Sequence, residues 1–196
     1  VSGTVRVALV PGVLALLPEY ASAVDPVPEL RAACLAAVRW LVEAGPVTVL
    51  ADAQGARVAQ ALLEGAGVST RSAPGGLAAR PAEGSAPGGL AARPAEAPGG
   101  SYLVVGNGSA CRSEKAPGHL VEGSREFDDV LGAALRAGDL AAVDLSPAER
   151  LWARLGGIPA LAELLTRLDA APAQVDYDDA PYGVQYWVLR WTGTAR

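Results

Sequence analysis

The sequence predicts a three-layer αβα domain with a mostly parallel central sheet. Apolar strand-like runs alternate with helix-like stripes along most of the chain, which is the order of a βα-repeating fold. The strand runs are apolar nearly throughout, as strands covered on both faces are. A length of 196 residues suits one domain with a substantial core. A hydrophobic fraction of 51%, much of it alanine, suits a compact soluble protein rather than a disordered one.

Val5-Arg6-Val7-Ala8-Leu9-Val10 reads as the first strand. Asp25 is then placed to cap a helix that takes Pro26 at its first position and runs to about Val42. Leu30, Cys34, Ala37, Val38 and Leu41 share one face of it, and Gly45-Pro46 stops it. Val47 to Leu50 is a second short strand, followed by a helix through Val58 and Leu62 that ends at Gly65 or Gly67. Val68-Ser69-Thr70 is a candidate third strand.

Residues 71–100 break the alternation. Ser72 to Glu83 recurs letter for letter as Ser85 to Glu96, a tandem repeat with a period of 13 residues. Two units are too few for a solenoid, and each is too rich in Pro and Gly to bury a stable hydrophobic face. The segment reads as an exposed loop within a single domain spanning 1–196, or as a binding arm touching a neighbouring copy of the chain.

Tyr102 to Val105 resumes the strand pattern. Ser124 is placed to cap a helix with the stripe Phe127, Val130, Leu131, Ala134 and Leu135, closed by Gly138. Ser146-Pro147-Ala148-Glu149 has the form of a capping box opening a helix through Leu151, Trp152 and Leu155. A further helix after Gly156-Gly157 carries Leu161, Leu164, Leu165 and Leu168. Gln174 to Tyr177 and Val184 to Trp191 read as a closing strand pair around Asp178 to Gly183, with Trp187 and Trp191 on one face and Tyr186 on the other.

Charge and hydropathy narrow the function classes. A net charge of −5 argues against a nucleic-acid surface, which normally shows as a basic excess or stripe. No run reaches the roughly 18 apolar residues of a membrane span, and Val5 to Leu17 is interrupted by Pro11-Gly12, so it makes a poor signal peptide. A cytoplasmic location is expected. Cys34 and Cys111 form no zinc-like spacing, and Cys34 sits in a helical stripe as a small buried hydrophobe.

The densest chemistry lies in Gly106 to Gly118, directly behind a strand, where open α/β sheets place ligands. Its glycines allow backbone N–H groups to converge on an anion, with Arg112 and Lys115 supplying charge; the alternative is an ordered connection with local salt bridges among Arg112, Glu114 and Lys115. Asn107 offers an amide that both donates and accepts, and Ser109 lies beside it. Cys111 and His119 form a conceivable thiolate pair, and His119 is the only histidine. Asp176, Asp178 and Asp179 beside Tyr177 and Tyr182 form an acidic cluster able to hold a cation or share a proton, or a polar turn. Asn107, Ser109, Arg112, Lys115, Asp179 and Tyr182 are the candidate ligand-binding residues.

Together, Gly106-Asn107-Gly108-Ser109-Ala110-Cys111-Arg112-Ser113-Glu114-Lys115-Ala116-Pro117-Gly118 and Tyr177-Asp178-Asp179-Ala180-Pro181-Tyr182-Gly183-Val184 resemble an actinobacterial group of class III extradiol ring-cleavage dioxygenase-like proteins. Val7 to Pro18 and Leu30-Arg31-Ala32-Ala33-Cys34 are similar too. The resemblance implies a phosphorylase/hydrolase-like αβα fold. It pairs the two quoted segments across one cleft. In the true dioxygenases two histidines and a glutamate hold ferrous iron and another histidine moves protons on a catechol. Here Val10-Pro11-Gly12-Val13 lacks the first-strand histidine, and Ser109-Ala110 has alanine where the base would fall.

These readings predict a metal-free and cofactor-free relative that binds a small molecule or acts in assembly, including a homo-oligomer. One alternative is a metal-independent enzyme acting on an acidic small molecule, with Cys111, His119 or Asp178 moving protons. The other is a ferrous extradiol dioxygenase.

Overall fold

The computed structural model describes residues 3–20, 22–68 and 100–196. Six strands form one mixed sheet: β1 (Thr4–Val10), β2 (Val47–Leu50), β3 (Gly100–Val105), β4 (Leu168–Ala170), β5 (Gln174–Asp179) and β6 (Tyr186–Ala195). Among the described residues four α-helices accompany them: α1 (Pro28–Val42), α2 (Ala53–Gly65), α3 (Ser124–Ala137) and α4 (Ile158–Thr166). The main path of the sheet is β2-β3-β1-β6-β4, and β5 also pairs with β6.

The expectation of a mostly parallel sheet holds for the β2-β3-β1 core, where both pairings are parallel. It fails on the other side. β6 runs antiparallel to β1, β4 and β5, so the sheet is mixed.

Period-2 alternation divides the side chains of the sheet between two cores. Val5, Val7 and Leu9 of β1 join Trp187, Leu189 and Trp191 of β6 under α3 and α4. Ala8 and Val10 join Tyr186 and Val188 under α1 and α2. The predicted split of Trp187 and Trp191 from Tyr186 is therefore realised. Leu30, Cys34, Ala37, Val38 and Leu41 are the buried face of α1, as their spacing predicts.

Local boundaries differ where a side chain finds a better partner. Asp25 does not cap α1, because its carboxylate accepts from the Val27 N–H at 3.0 Å and the Arg31 Nε at 2.7 Å. Pro28, not Pro26, opens the helix. Ser124 is the first residue of α3; Gly123 holds the cap position in the left-handed region, and Gly138 ends the helix in the same region. Within the α3 stripe Val130 is exposed while Asp128 is buried. The Ser146 box yields a single 3-10 turn, Ser146–Ala148, with no side-chain cap bond. The chain then reverses through Trp152, which has φ 53° and is exposed. Leu168, read as helical, opens β4 instead. Val68 lies outside any strand, and Ser69-Thr70 lies outside the described residues. So does the predicted exposed loop, apart from Gly100, the first residue of β3.

Gly156-Gly157 positions the carboxyl edge of the sheet. The Gly157 N–H donates to the Val105 carbonyl at 2.8 Å. A Cβ on Gly156 would collide with that carbonyl and one on Gly157 with the carbonyl of Leu50. Only a chain without side chains can cross the ends of β2 and β3 this closely and start α4. Among the described residues, no helix is long and apolar enough to cross a membrane.

Candidate functional site

β3 delivers residues 106–112 to the carboxyl edge as an extended strip stitched on both sides. The Asn107 and Ala110 N–H groups donate to Arg154 and Leu151 carbonyls at 2.9 and 3.0 Å. On the other side the Gly108 and Arg112 N–H groups donate to Gln185 and Gly183 carbonyls at 3.0 and 3.1 Å. The Gln185 N–H returns a bond to the Ser109 carbonyl at 2.9 Å. The two segments paired by the resemblance therefore meet. An anion cradle does not form here, because these backbone donors are spent on protein acceptors rather than converging on open space.

A cleft of about 370 Å³ opens between this strip, one side of α3 from Arg125 to Arg136, and the turn after β5. Arg112, Arg125, Arg136, Asp128, Asp129, Asp178 and Asp179 supply its charges, with Gln185 and Trp187 beside them. Asp128 is the best-buried of these charges, 2% exposed. Its carboxylate accepts from the Ser109 N–H at 2.8 Å and the Ser109 Oγ at 2.6 Å. Burial pushes the Asp128 carboxyl above its usual range, against the opposing pull of the Ser109 bonds and the Arg112 charge. Gly108 makes this approach possible: a Cβ there would lie 2.5 Å from Asp128 Oδ1 and 2.8 Å from the Trp187 ring.

From Asp128 a polar relay runs along the cleft. Arg112 Nε lies 3.8 Å from Asp128 Oδ2, and its Nη1 donates to Gln185 Oε1. Gln185 Nε2 donates to Asp178 Oδ1 at 2.8 Å, and Asp178 Oδ2 accepts from Arg136. Arg112 Nε itself is buried without a hydrogen-bond acceptor. The alternative of local salt bridges among Arg112, Glu114 and Lys115 does not hold either, since Arg112 turns to Asp128 and Gln185.

Of the sequence candidates, Arg112, Asp178 and Asp179 line the cleft, and Ser109 stands behind it holding Asp128. The others are elsewhere. Asn107 is buried and donates to the Gly108 carbonyl at 3.2 Å. Lys115 is exposed outside the cleft. Tyr182 is 63% exposed, and its hydroxyl donates to the Pro26 carbonyl at 3.1 Å. Cys111 is fully buried with Sγ 3.6 Å from the Gly118 carbonyl, and burial raises its thiol pKa. His119 is exposed, its Nδ1 3.3 Å from the Glu114 carbonyl, so the two make no thiolate pair. The acidic cluster is split as well: Asp176 binds Arg190 through both oxygens at 2.5 and 2.8 Å, away from Asp178. Among the described residues, no three His, Cys, Asp or Glu side chains are grouped to hold a metal ion.

Sequence reasoning missed Asp128, Gln185, Arg125, Arg136 and Asp129. Asp128 carries a legible signal, standing at i, i+3, i+7 with Leu131 and Leu135, where a core residue is due. Gln185 is the polar interruption of an otherwise apolar run from Val184 to Leu189.

Compared with known proteins, the chain matches no family model, no curated protein and no solved structure. The resemblance implies a ferrous iron site. Ferrous iron of that class takes two histidines and a carboxylate. The single histidine of this chain is on the surface outside the cleft, and the cleft is lined by arginine and aspartate. The residues do not fit the metal.

Proposed function

We propose that this chain binds a small polar molecule in the cleft between residues 106–113, α3 and residues 178–187, as a metal-independent relative of the class III extradiol dioxygenases. The phosphorylase/hydrolase-like fold, the cytoplasmic location and any homo-oligomeric assembly belong to the same proposal. The observation that carries it is the cleft itself, which lies at the carboxyl edge of a parallel strand with charged groups of both signs around about 370 Å³. Two-dimensional NMR of the labelled protein against pooled metabolites tests it. Binding is expected to move resonances of 106–113 and 178–187 together. Ligands that move only other regions would overturn the reading.

Asp128 favours a second reading, a metal-independent enzyme. A carboxyl pushed up by burial at the floor of a polar cleft is suited to exchange a proton with a bound acid. Once a substrate is found, Asp128→Asn is expected to abolish turnover while leaving binding in place; unchanged turnover removes this reading. Stoichiometric iron together with ring-opened catechol would overturn both in favour of the dioxygenase activity.

A further inference from the structure

Resting on the small-molecule reading of the cleft, we propose that its ligand carries one carboxylate and two cationic groups, the class of the basic amino acids. The charges around the cleft sort into two sets. Arg112 faces Asp128 at 3.8 Å and Arg136 pairs with Asp178, so the charges of these four are matched within the relay although Arg112 Nε keeps no hydrogen-bond acceptor. Arg125, Asp129 and Asp179 remain, and among the described residues none of them makes an ion pair. One cation and two carboxylates without an ion-pair partner are left at the cleft, one oxygen of Asp179 already accepting from the Ala180 N–H at 2.7 Å.

Arg125 and Asp129 stand one turn apart on α3 in the order Arg then Asp, the less favourable orientation for an intrahelical pair. They stay apart and available. A ligand matching them offers a carboxylate to the planar fork of Arg125 and ammonium or guanidinium groups to Asp129 and Asp179. A molecule of about ten to twelve non-hydrogen atoms suits a site at the small end of the usual range. Acidic ligands are disfavoured, because a second carboxylate would face two unpaired aspartates.

Calorimetry on the whole chain tests this with L-lysine and L-arginine as probes, against cadaverine, which lacks the carboxylate, and L-norleucine, which lacks the second cation. L-Glutamate and inorganic phosphate serve as acidic controls. Lysine and arginine are expected to bind about tenfold or more tightly than either truncated analogue. Arg125→Ala should erase the preference for lysine over cadaverine, and Asp179→Asn the preference over norleucine, with circular dichroism unchanged in both. A preference that survives Arg125→Ala overturns the inference. Tighter binding of glutamate or phosphate, located in the cleft by NMR, overturns the ligand class and leaves the small-molecule reading standing. If none of these probes binds while the pooled metabolites give a cleft ligand, this inference alone falls; if neither gives one, both fall.

Discussion

Ser109 holds Asp128 with two hydrogen bonds, one from its backbone N–H at 2.8 Å and one from its hydroxyl at 2.6 Å. The pair joins the strip after β3 to the first turns of α3 and fixes the floor of the cleft. Ser109→Ala removes one bond to a charged, buried acceptor and is expected to cost about 1.5–3 kcal/mol. Asp128→Leu leaves the Ser109 N–H and the Arg112 guanidinium without their carboxylate and should cost about 3–5 kcal/mol. Urea unfolding of the two variants checks both the size and the order.

Asp128 and Asp25 should shape the pH dependence in opposite directions. Burial raises the Asp128 pKa above the ordinary 3.8, so its contribution to stability is fully present below that value and is lost as pH rises through the raised pKa. The Arg31 and Val27 bonds lower the Asp25 pKa, so its contribution is present above the ordinary 3.8 and is lost as pH falls through the lowered value. Relative to wild type, Asp128→Asn should gain stability as pH rises through the Asp128 titration. Asp25→Asn should lose relative stability as pH rises from the lowered Asp25 pKa through the ordinary value. Urea midpoints from about pH 2 to about pH 8 follow both differences.

Gly157→Ala should be among the costliest small substitutions in the chain. Its Cβ would land on the Leu50 carbonyl, a backbone atom that cannot swing away. A loss of at least about 1–3 kcal/mol is expected from the forced shift. Gly45→Ala is a control of different cause: nothing lies within 4 Å of its Cβ, and only its φ of 126° opposes the change. Thermal melts of the two variants separate steric from conformational cost.

Trp40 lies against two guanidinium groups, with Arg6 4.9 Å and Arg190 5.1 Å from its ring centroid. Each contact is worth about 0.5–1 kcal/mol. A double-mutant cycle between Trp40→Leu and Arg190→Met should return a coupling of that size. A coupling near zero would mean that Arg190 is held by Asp176 alone.

The fold is legible in the sequence where one physical signal dominates. The α1 stripe from Leu30 to Leu41 and the apolar runs of β1, β2 and β3 are set by burial, which periodicity reports directly. Tertiary partners override local rules elsewhere. Ser146 has the letters of a capping box, but the chain makes only a single 3-10 turn there and then takes a positive φ at Trp152, which a continuing helix does not allow. β4 is three residues long and gains its place from pairing with β6, so Leu168 carries no strand signal of its own. At the site, Arg112, Asp178 and Asp179 line one cleft, and Arg112 is linked to Asp178 through Gln185, which lies just past the second quoted segment. Asp128 escapes a sequence reading because helix stripes are read for apolar residues, and Val130 takes its place in the stripe.

The antiparallel placement of β6 has a consequence for the order of assembly. Its partner on one side is β1, with Thr4 beside Thr194, so this pairing joins residues from opposite ends of the described sequence. β4 and β5 reach the sheet only through β6. The half-sheet β2-β3-β1 contains an exposed edge at β1 until that pairing forms, and a chain caught at this stage offers an apolar strand to any neighbour. Long loop closure makes such a step slow. Folding of this protein should therefore end, not begin, with the element that completes the cleft, and a nascent chain lacking β6 should be a substrate for chaperones rather than a functional fragment.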